Sequence, residues 1–227
     1  MAFPTIGILD DFNRADSGTL GASWTADVIN LGLSSLQIVS NAASTVGGFR
    51  NNWWNGTTFG PDVEVTTTIK STFLNVDDGD GGWAGTQGGL YARLVTPGTA
   101  GADGYYLFFF GGEITGYVAF LQRVDNGVFT TLGATYTGFT VSTDDKFGIS
   151  VVGSTLTFYR KPAAGSWAQV STTRTDTTYS AAGYIGLQGV SPFLGTEALY
   201  DDFGGGTVVA GAAGVMLPMG MLGTSRV

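Results

Sequence analysis

The chain has 227 residues, the size of one large β-sandwich or barrel left undivided, and holds 37 Gly and 30 Thr against three Lys and three Glu. Straight-chain helix formers are nearly absent, which excludes a helical bundle, and 43% hydrophobic with 13% aromatic residues exclude a disordered chain. The net charge of -8 has the wrong sign for a phosphate backbone, so nucleic acid is not an expected partner, and the lack of His and Cys removes the common zinc, haem and copper ligands, the Ser-His and Cys-His nucleophiles and any disulfide.

Residues 1–7 carry neither a basic leader nor an apolar run of signal-peptide length, and Asp10 and Asp11 follow at once. The expectation is a chain made in a cytoplasm, or one whose leader has been removed. Period-two alternation then recurs along the sequence. Within 61–73, Val63, Val65, Thr67 and Ile69 share one face and Glu64, Thr66, Thr68 and Lys70 the other, the pattern of a half-buried antiparallel strand. Similar runs occupy 36–39, 89–95, 105–110, 117–124, 129–133, 147–152, 155–160, 167–171, 184–188 and 198–203. Asp125-Asn126-Gly127 and Val152-Gly153-Ser154 carry hairpin-turn chemistry, so the strands of 117–171 are expected to form a meander of hairpins. There is no 3.6-residue apolar period and no fixed-spacing repeat, which points to one sandwich.

Sandwiches often protect their edges by pairing first and last strands, and Leu9-Asp10-Asp11-Phe12 and Tyr200-Asp201-Asp202-Phe203 are placed to be such neighbours. After Gly204-Gly205-Gly206 the chain carries no charge as far as Ser225. The expected organisation is a domain over 1–206, with the triple glycine as a flexible exit, and an apolar arm over 207–227. Val215, Met216, Leu217, Met219, Met221 and Leu222 give that arm a surface for docking on a neighbouring subunit. Glycines and Pro218 interrupt it too often for a membrane span.

Asp10-Asp11-Phe12-Asn13-Arg14-Ala15-Asp16, Leu20-Gly21-Ala22-Ser23-Trp24 and the closing Tyr200-Asp201-Asp202-Phe203 resemble the concanavalin A-like lectin/glucanase jelly rolls, in particular the laminin-G-like modules of bacterial and phage proteins. The resemblance spans roughly residues 8 to 205. Gly104-Tyr105-Tyr106-Leu107, Leu121-Gln122-Arg123-Val124, Gly148-Ile149-Ser150-Val151 and Thr155-Leu156-Thr157-Phe158-Tyr159-Arg160 are similar to successive strands of such modules. It implies an all-β, antiparallel two-sheet jelly-roll sandwich. It is specific for fold and poor for function, because lectins, hydrolases, adhesins and structural pieces share that fold.

Sugar hydrolysis needs two carboxylates across the scissile bond, and laminarinase-type relatives carry them as Glu-x-Asp-x-x-Glu on one strand. Asp62 and Glu64 are the one Asp-x-Glu pair on a strand here, and Thr66 and Thr67 stand where the third acid belongs, so no enzyme is expected. Two calcium sites are conceivable. Asp77, Asp78 and Asp80 with Asn75 and three glycines form an acidic loop suited to a hard cation or to a plain Asp/Gly turn. Asp11 with Asp201 or Asp202 lies where the resemblance implies a structural Ca²⁺, or serves as a turn bonded to its own amides. For glycans, Trp53, Trp54, Asn55 and Trp83 are the candidates: adjacent strand tryptophans face opposite ways, so one of Trp53 and Trp54 faces solvent if the other is core. The competing reading makes them rim tryptophans. The run 105–110 is apolar on both faces, which reads as core plus interface. The expected function is a non-catalytic, lectin-like structural protein of a virion or cell surface, homo-oligomeric and engaging other surface proteins or host glycans. The alternative is a carbohydrate-binding module of a secreted bacterial protein.

Overall fold

The computed structural model describes residues 3–26, 35–71, 73, 85–99, 101–112, 116–170, 172–191 and 197–208. In chain order the strands are β1 (Ile8–Asp10), β2 (Trp24–Ala26), β3 (Gln37–Val39), β4 (Ala42–Ser44), β5 (Gly48–Trp54), β6 (Val63–Ile69), β7 (Gln87–Val95), β8 (Asp103–Gly112) and β9 (Gly116–Asp125). They continue with β10 (Val128–Thr131), β11 (Tyr136–Phe139), β12 (Lys146–Val152), β13 (Thr155–Lys161), β14 (Ala168–Gln169), β15 (Arg174–Thr175), β16 (Tyr184–Ser191) and β17 (Leu199–Thr207). No helix among the described residues is long and apolar enough to cross a membrane.

Two antiparallel sheets pack as a jelly-roll sandwich, as the alternation predicts. The back sheet runs β14-β13-β12-β6-β17-β4-β3, with β1 on β17 and β15 on β13; the front sheet runs β10-β9-β8-β7-β16-β5-β2, with β11 on β9. Between them, Val65, Phe147, Ile149, Phe158 and Phe203 from the back meet Leu90, Leu107, Phe109, Leu121, Ile185 and Leu187 from the front, all at most 1% exposed. Phe109 meets Phe147 edge-on at 4.6 Å. The Tyr200 hydroxyl crosses the layer and donates to the Gln87 carbonyl at 2.8 Å.

The terminal segments are neighbours: Ile8 pairs with Gly204 and Asp10 with Phe203. Asp10 anchors this junction, accepting from both Arg14 guanidinium nitrogens (2.6 and 2.9 Å), Trp24 Nε1 (2.7 Å) and the Phe12 amide (2.8 Å). Burial alone would raise its carboxyl, but the bonds from Arg14, Trp24 and Phe12 outweigh it and hold the group below the usual carboxylate range. At one end of the sandwich the buried Arg93 donates to the carbonyls of Pro61 and Tyr179.

Three expectations are corrected. The triple glycine is not a flexible exit: Gly204, Gly205 and Gly206 pair with Thr66, Val65 and Glu64 inside β17, and the Val208 amide donates to the Asp62 carbonyl, so the sandwich extends past residue 206. These glycines answer crowding, because a Cβ on Gly205 would sit 2.2 Å from Ile185 Cδ1 and one on Gly204 would sit 2.9 Å from the Gly7 carbonyl. The region 117–171 is not one meander either. β9 and β10 form a hairpin in the front sheet, β12 and β13 one in the back sheet, and the chain changes sheets after β11. Finally, β6 is buried on both faces, because residues 3–7 cross its outer side: Glu64 is 3% exposed and binds Thr5.

Candidate functional site

Alternation along β8 sends Tyr105, Leu107 and Phe109 into the core and leaves Tyr106, Phe108 and Phe110 on the outer face of the front sheet. Register then lines up their neighbours. Across the sheet run Trp53, Gly186, Tyr91, Tyr106, Gln122 and Thr131 in one row and Asn51, Gln188, Gly89, Phe108 and Phe120 in the next. The rings pack on one another, with Tyr91 on Tyr106 at 4.5 Å, Phe129 against Tyr106 at 5.3 Å and Phe108 over Phe110 at 5.3 Å. An open groove of about 180 Å³ lies on this floor, lined by Phe49, Gln87, Tyr106, Phe108, Gln122, Phe129 and Gln188. Its rim rings Phe49 and Phe129 are 40% and 38% exposed.

One amide is fixed in place. Gln188 Oε1 accepts hydrogen bonds from the Tyr91 hydroxyl (2.8 Å) and the Tyr106 hydroxyl (2.6 Å), while its Nε2 donates to no group among the described residues. Gly89 makes this reach possible, because a Cβ there would lie 2.1 Å from the Tyr106 oxygen, so only glycine lets that ring lie across β7. Burial, with the phenols of Tyr91 and Tyr200 nearby, pushes the Tyr106 hydroxyl well above its usual range and keeps it a neutral donor. Gln122 turns its Nε2 to Thr131 Oγ1 at 3.2 Å. No lining residue is charged. The described lining of the groove therefore offers flat apolar faces and directional neutral hydrogen-bonding groups.

The residues singled out in the sequence scatter around this groove. Trp53 does face outward and Trp54 inward: Trp53 packs on Tyr184 at 4.6 Å with its indole N–H buried and without an acceptor, and Trp54 meets Trp24 edge-on at 5.4 Å. Trp53 lies beside the groove, not in it. Asn55 spends its Nδ2 on the Ala22 carbonyl and Thr25 Oγ1, both at 3.0 Å. Trp83, Asp77, Asp78, Asp80 and the arm residues Val215, Met216, Leu217, Met219, Met221 and Leu222 lie outside the described residues. Asp11 accepts from the Asn13 amide (3.0 Å) and Asp201 from the Asp202 amide (2.9 Å). Burial raises the Asp201 carboxyl, and the charges of Asp202 and Asp11 add to the effect. Among the described residues no three acidic side chains converge to hold a metal ion. The Asp62-Glu64 pair lies on and beside the back sheet, where Glu64 holds Thr5 and Asp62 accepts from the Gly153 amide at 2.7 Å.

The glutamines and Tyr106 escape sequence reasoning. In the sequence the run 105–110 reads only as apolar on both faces, core plus interface; the structure sorts Tyr106, Phe108 and Phe110 outward, and strand register brings Gln122 and Gln188 beside them.

No family model matches the chain, and no curated protein matches it. Solved structures of similar fold include xylan β-1,4-xylosidase from Bacillus halodurans C-125 (TM-score 0.59, 16% identity, 87% of this chain and 38% of that one). Carbohydrate-binding module CBM66 from Bacillus subtilis follows at TM-score 0.50 and 15% identity, over 82% of this chain and 94% of that one. The CBM2 module of the evolved Dit of Lactobacillus casei BL23 phage J-1 has TM-score 0.53 and 13% identity, over 86% and 92% of the two chains. At such identities the likeness is one of fold alone: these proteins and this chain share a two-sheet, antiparallel jelly-roll sandwich.

Proposed function

We propose that the protein is a non-catalytic glycan-binding jelly roll whose front-sheet groove holds a neutral carbohydrate. The observation that carries this is the pairing of exposed rings with a clamped amide. A pyranose has an apolar face of C–H groups and a rim of hydroxyls. Phe49 and Phe129 supply surfaces for the face, and Gln188, with its oxygen already satisfied by two tyrosines, presents its Nε2 hydrogens to a hydroxyl oxygen of the rim. The absence of any carboxylate among the lining residues supports binding without hydrolysis, which needs two. It also favours neutral over anionic sugars, because a chain of net charge -8 offers uronates and sulfates no compensating cation here.

The proposed setting is the surface of a virion or a bacterial cell, where such a module decorates a particle and adheres to host glycans. The fold shared with a phage Dit module favours the virion, and the fold shared with CBM66 serves a secreted module equally well. The test is an array of neutral and acidic glycans probed with the full chain and with a Phe49→Ala/Phe129→Ala double variant. The reading requires neutral ligands that the double variant no longer retains. Retention of acidic glycans alone, or of no glycan, contradicts it.

A further inference from the structure

A second polar cavity lies on the opposite side of the molecule. On the outer face of the back sheet, Glu64, Ser150 and Thr157 are direct cross-strand partners on β6, β12 and β13. With Phe3, Val152, Thr155 and Tyr159 they line a cavity of about 210 Å³. The Phe3 ring stacks on Tyr159 at 3.9 Å and closes one side.

The hydrogen-bonding account of this cavity is incomplete in one direction. Glu64 is 3% exposed, and its Oε2 accepts from the Thr5 amide (2.6 Å) and hydroxyl (3.0 Å). Among the described residues its Oε1 accepts no hydrogen bond, and no lysine or arginine pairs with it. Ser150 and Thr157, each 7% exposed, and Thr155 make no side-chain hydrogen bond among the described residues. A carboxylate mostly shielded from water gains from a cation or further donors, and here a carboxylate oxygen and three hydroxyls without a partner among the described residues open into one cavity.

We infer that this cavity is a binding site for a primary ammonium group. An R–NH₃⁺ head carries three donors and no acceptor, matching a set in which acceptors are in excess, and its charge compensates Glu64. A quaternary ammonium supplies charge but no donor and forms a hydrogen bond with none of the four oxygens. A metal dication prefers more carboxylates than the single one present. Val152, Phe3 and Tyr159 provide apolar surface for the alkyl stem. The head group belongs either to a free amine or to a lysine side chain of another protein.

The experiment titrates n-butylammonium chloride into the full chain, read by amide NMR shifts and by the fluorescence of Trp167, whose ring meets Phe3 edge-on at 4.9 Å. Saturable shifts centred on Ser150, Thr155 and Thr157, absent with tetramethylammonium and with n-butanol, are expected. Glu64→Gln should weaken binding by about tenfold or more. Because that variant alters the bonds to Thr5, Thr157→Val, which leaves them intact, serves as the second arm and should weaken binding about threefold or more in a protein of unchanged melting. Acetyl-Gly-Lys-Gly-amide separates the sources: if it binds as n-butylammonium does, the ligand is a protein lysine, and if only the free amine binds, it is a small metabolite. Absence of saturable shifts, equal binding of tetramethylammonium, or unchanged affinity in both variants overturns the inference.

Discussion

The two outer faces of the sandwich are built on the same antiparallel strands and look nothing alike. On the front, Tyr91, Tyr106, Phe108, Phe110 and Val118 form a second apolar cluster outside the core, topped by Phe49, Phe129 and three glutamines, with no charge in the groove. On the back, β6 offers Glu64, Thr66 and Thr68, β12 offers Lys146 and Ser150, and residues 3–7 lie across them. Apolar surface left outward on a strand costs solubility and persists where it meets something, whereas hydroxyls and charges outward are met by water, by the chain itself or by a polar ligand. The front face is thus read as a surface kept for a ligand. The back face is one the chain largely covers with itself, where Thr5 on Glu64 and Phe3 on Tyr159 act as internal contacts.

If the faces divide the work in this way, substitutions in the groove should change binding and those at the terminal-strand junction should change stability. The largest effect belongs to Gly89→Ala, where the new methyl strikes the Tyr106 ring and unseats the Gln188 clamp. Glycan affinity should fall about a hundredfold, and overpacking should cost about 1–3 kcal/mol of stability. Calorimetry and urea melts on the same preparation measure both. Asp10→Ala should do the reverse, removing the acceptor of Trp24 Nε1 and the Phe12 amide at a cost of about 2–3 kcal/mol while leaving glycan affinity unchanged.

Much of the fold was legible in the sequence, whereas the division between its two faces was not, for identifiable reasons. Alternation over 61–73 and 147–160 and the repeated Asp-Asp-Phe at both ends announce a closed sandwich, and the terminal pairing follows from them. The triple glycine reads as a hinge only until its neighbours are known. Ile185 lies on one side of it and Ile6 with the Gly7 carbonyl beside it, and those residues come from distant parts of the chain. The site fails in the same way. Tryptophans attract attention because a single aromatic can be judged alone, but Trp54 belongs to the core edge with Trp24, whereas the groove assembles from residues 49, 87, 106, 108, 122, 129 and 188 by register. A glutamine has no periodic signature, so Gln188 gains its meaning only beside two tyrosine hydroxyls.

A smaller effect sharpens the contrast. Phe129→Ala removes a ring that is 38% exposed, so glycan affinity should drop about tenfold while stability moves by about 0.5 kcal/mol or less. The smallest concerns pH and salt. The groove contains no acid, His or cation, so affinity should change by less than about twofold between 0.05 and 0.5 M NaCl and stay flat from about pH 5 to 9. Stability should respond to acid instead. Asp10 and Asp176 are held below the usual carboxylate range in the fold, so their contribution is intact above the ordinary value and is lost as pH falls below it through their depressed folded values. Acid unfolding with midpoints monitored by circular dichroism, compared between the wild type and Asp10→Asn, should show a flatter profile in the variant.

The central claim, that the outer face of the front sheet binds a neutral glycan through the clamped amide, is tested most directly by calorimetric titration of a retained neutral glycan into the wild type and Gln188→Glu. The substitution keeps an oxygen for the Tyr91 and Tyr106 hydroxyls and replaces the Nε2 donor by a second carboxylate oxygen, which can only accept and brings a negative charge into the groove floor. The prediction is a loss of affinity of about tenfold or more in a variant whose circular dichroism shows it folded at the temperature of the titration. Equal affinity of the two proteins contradicts it.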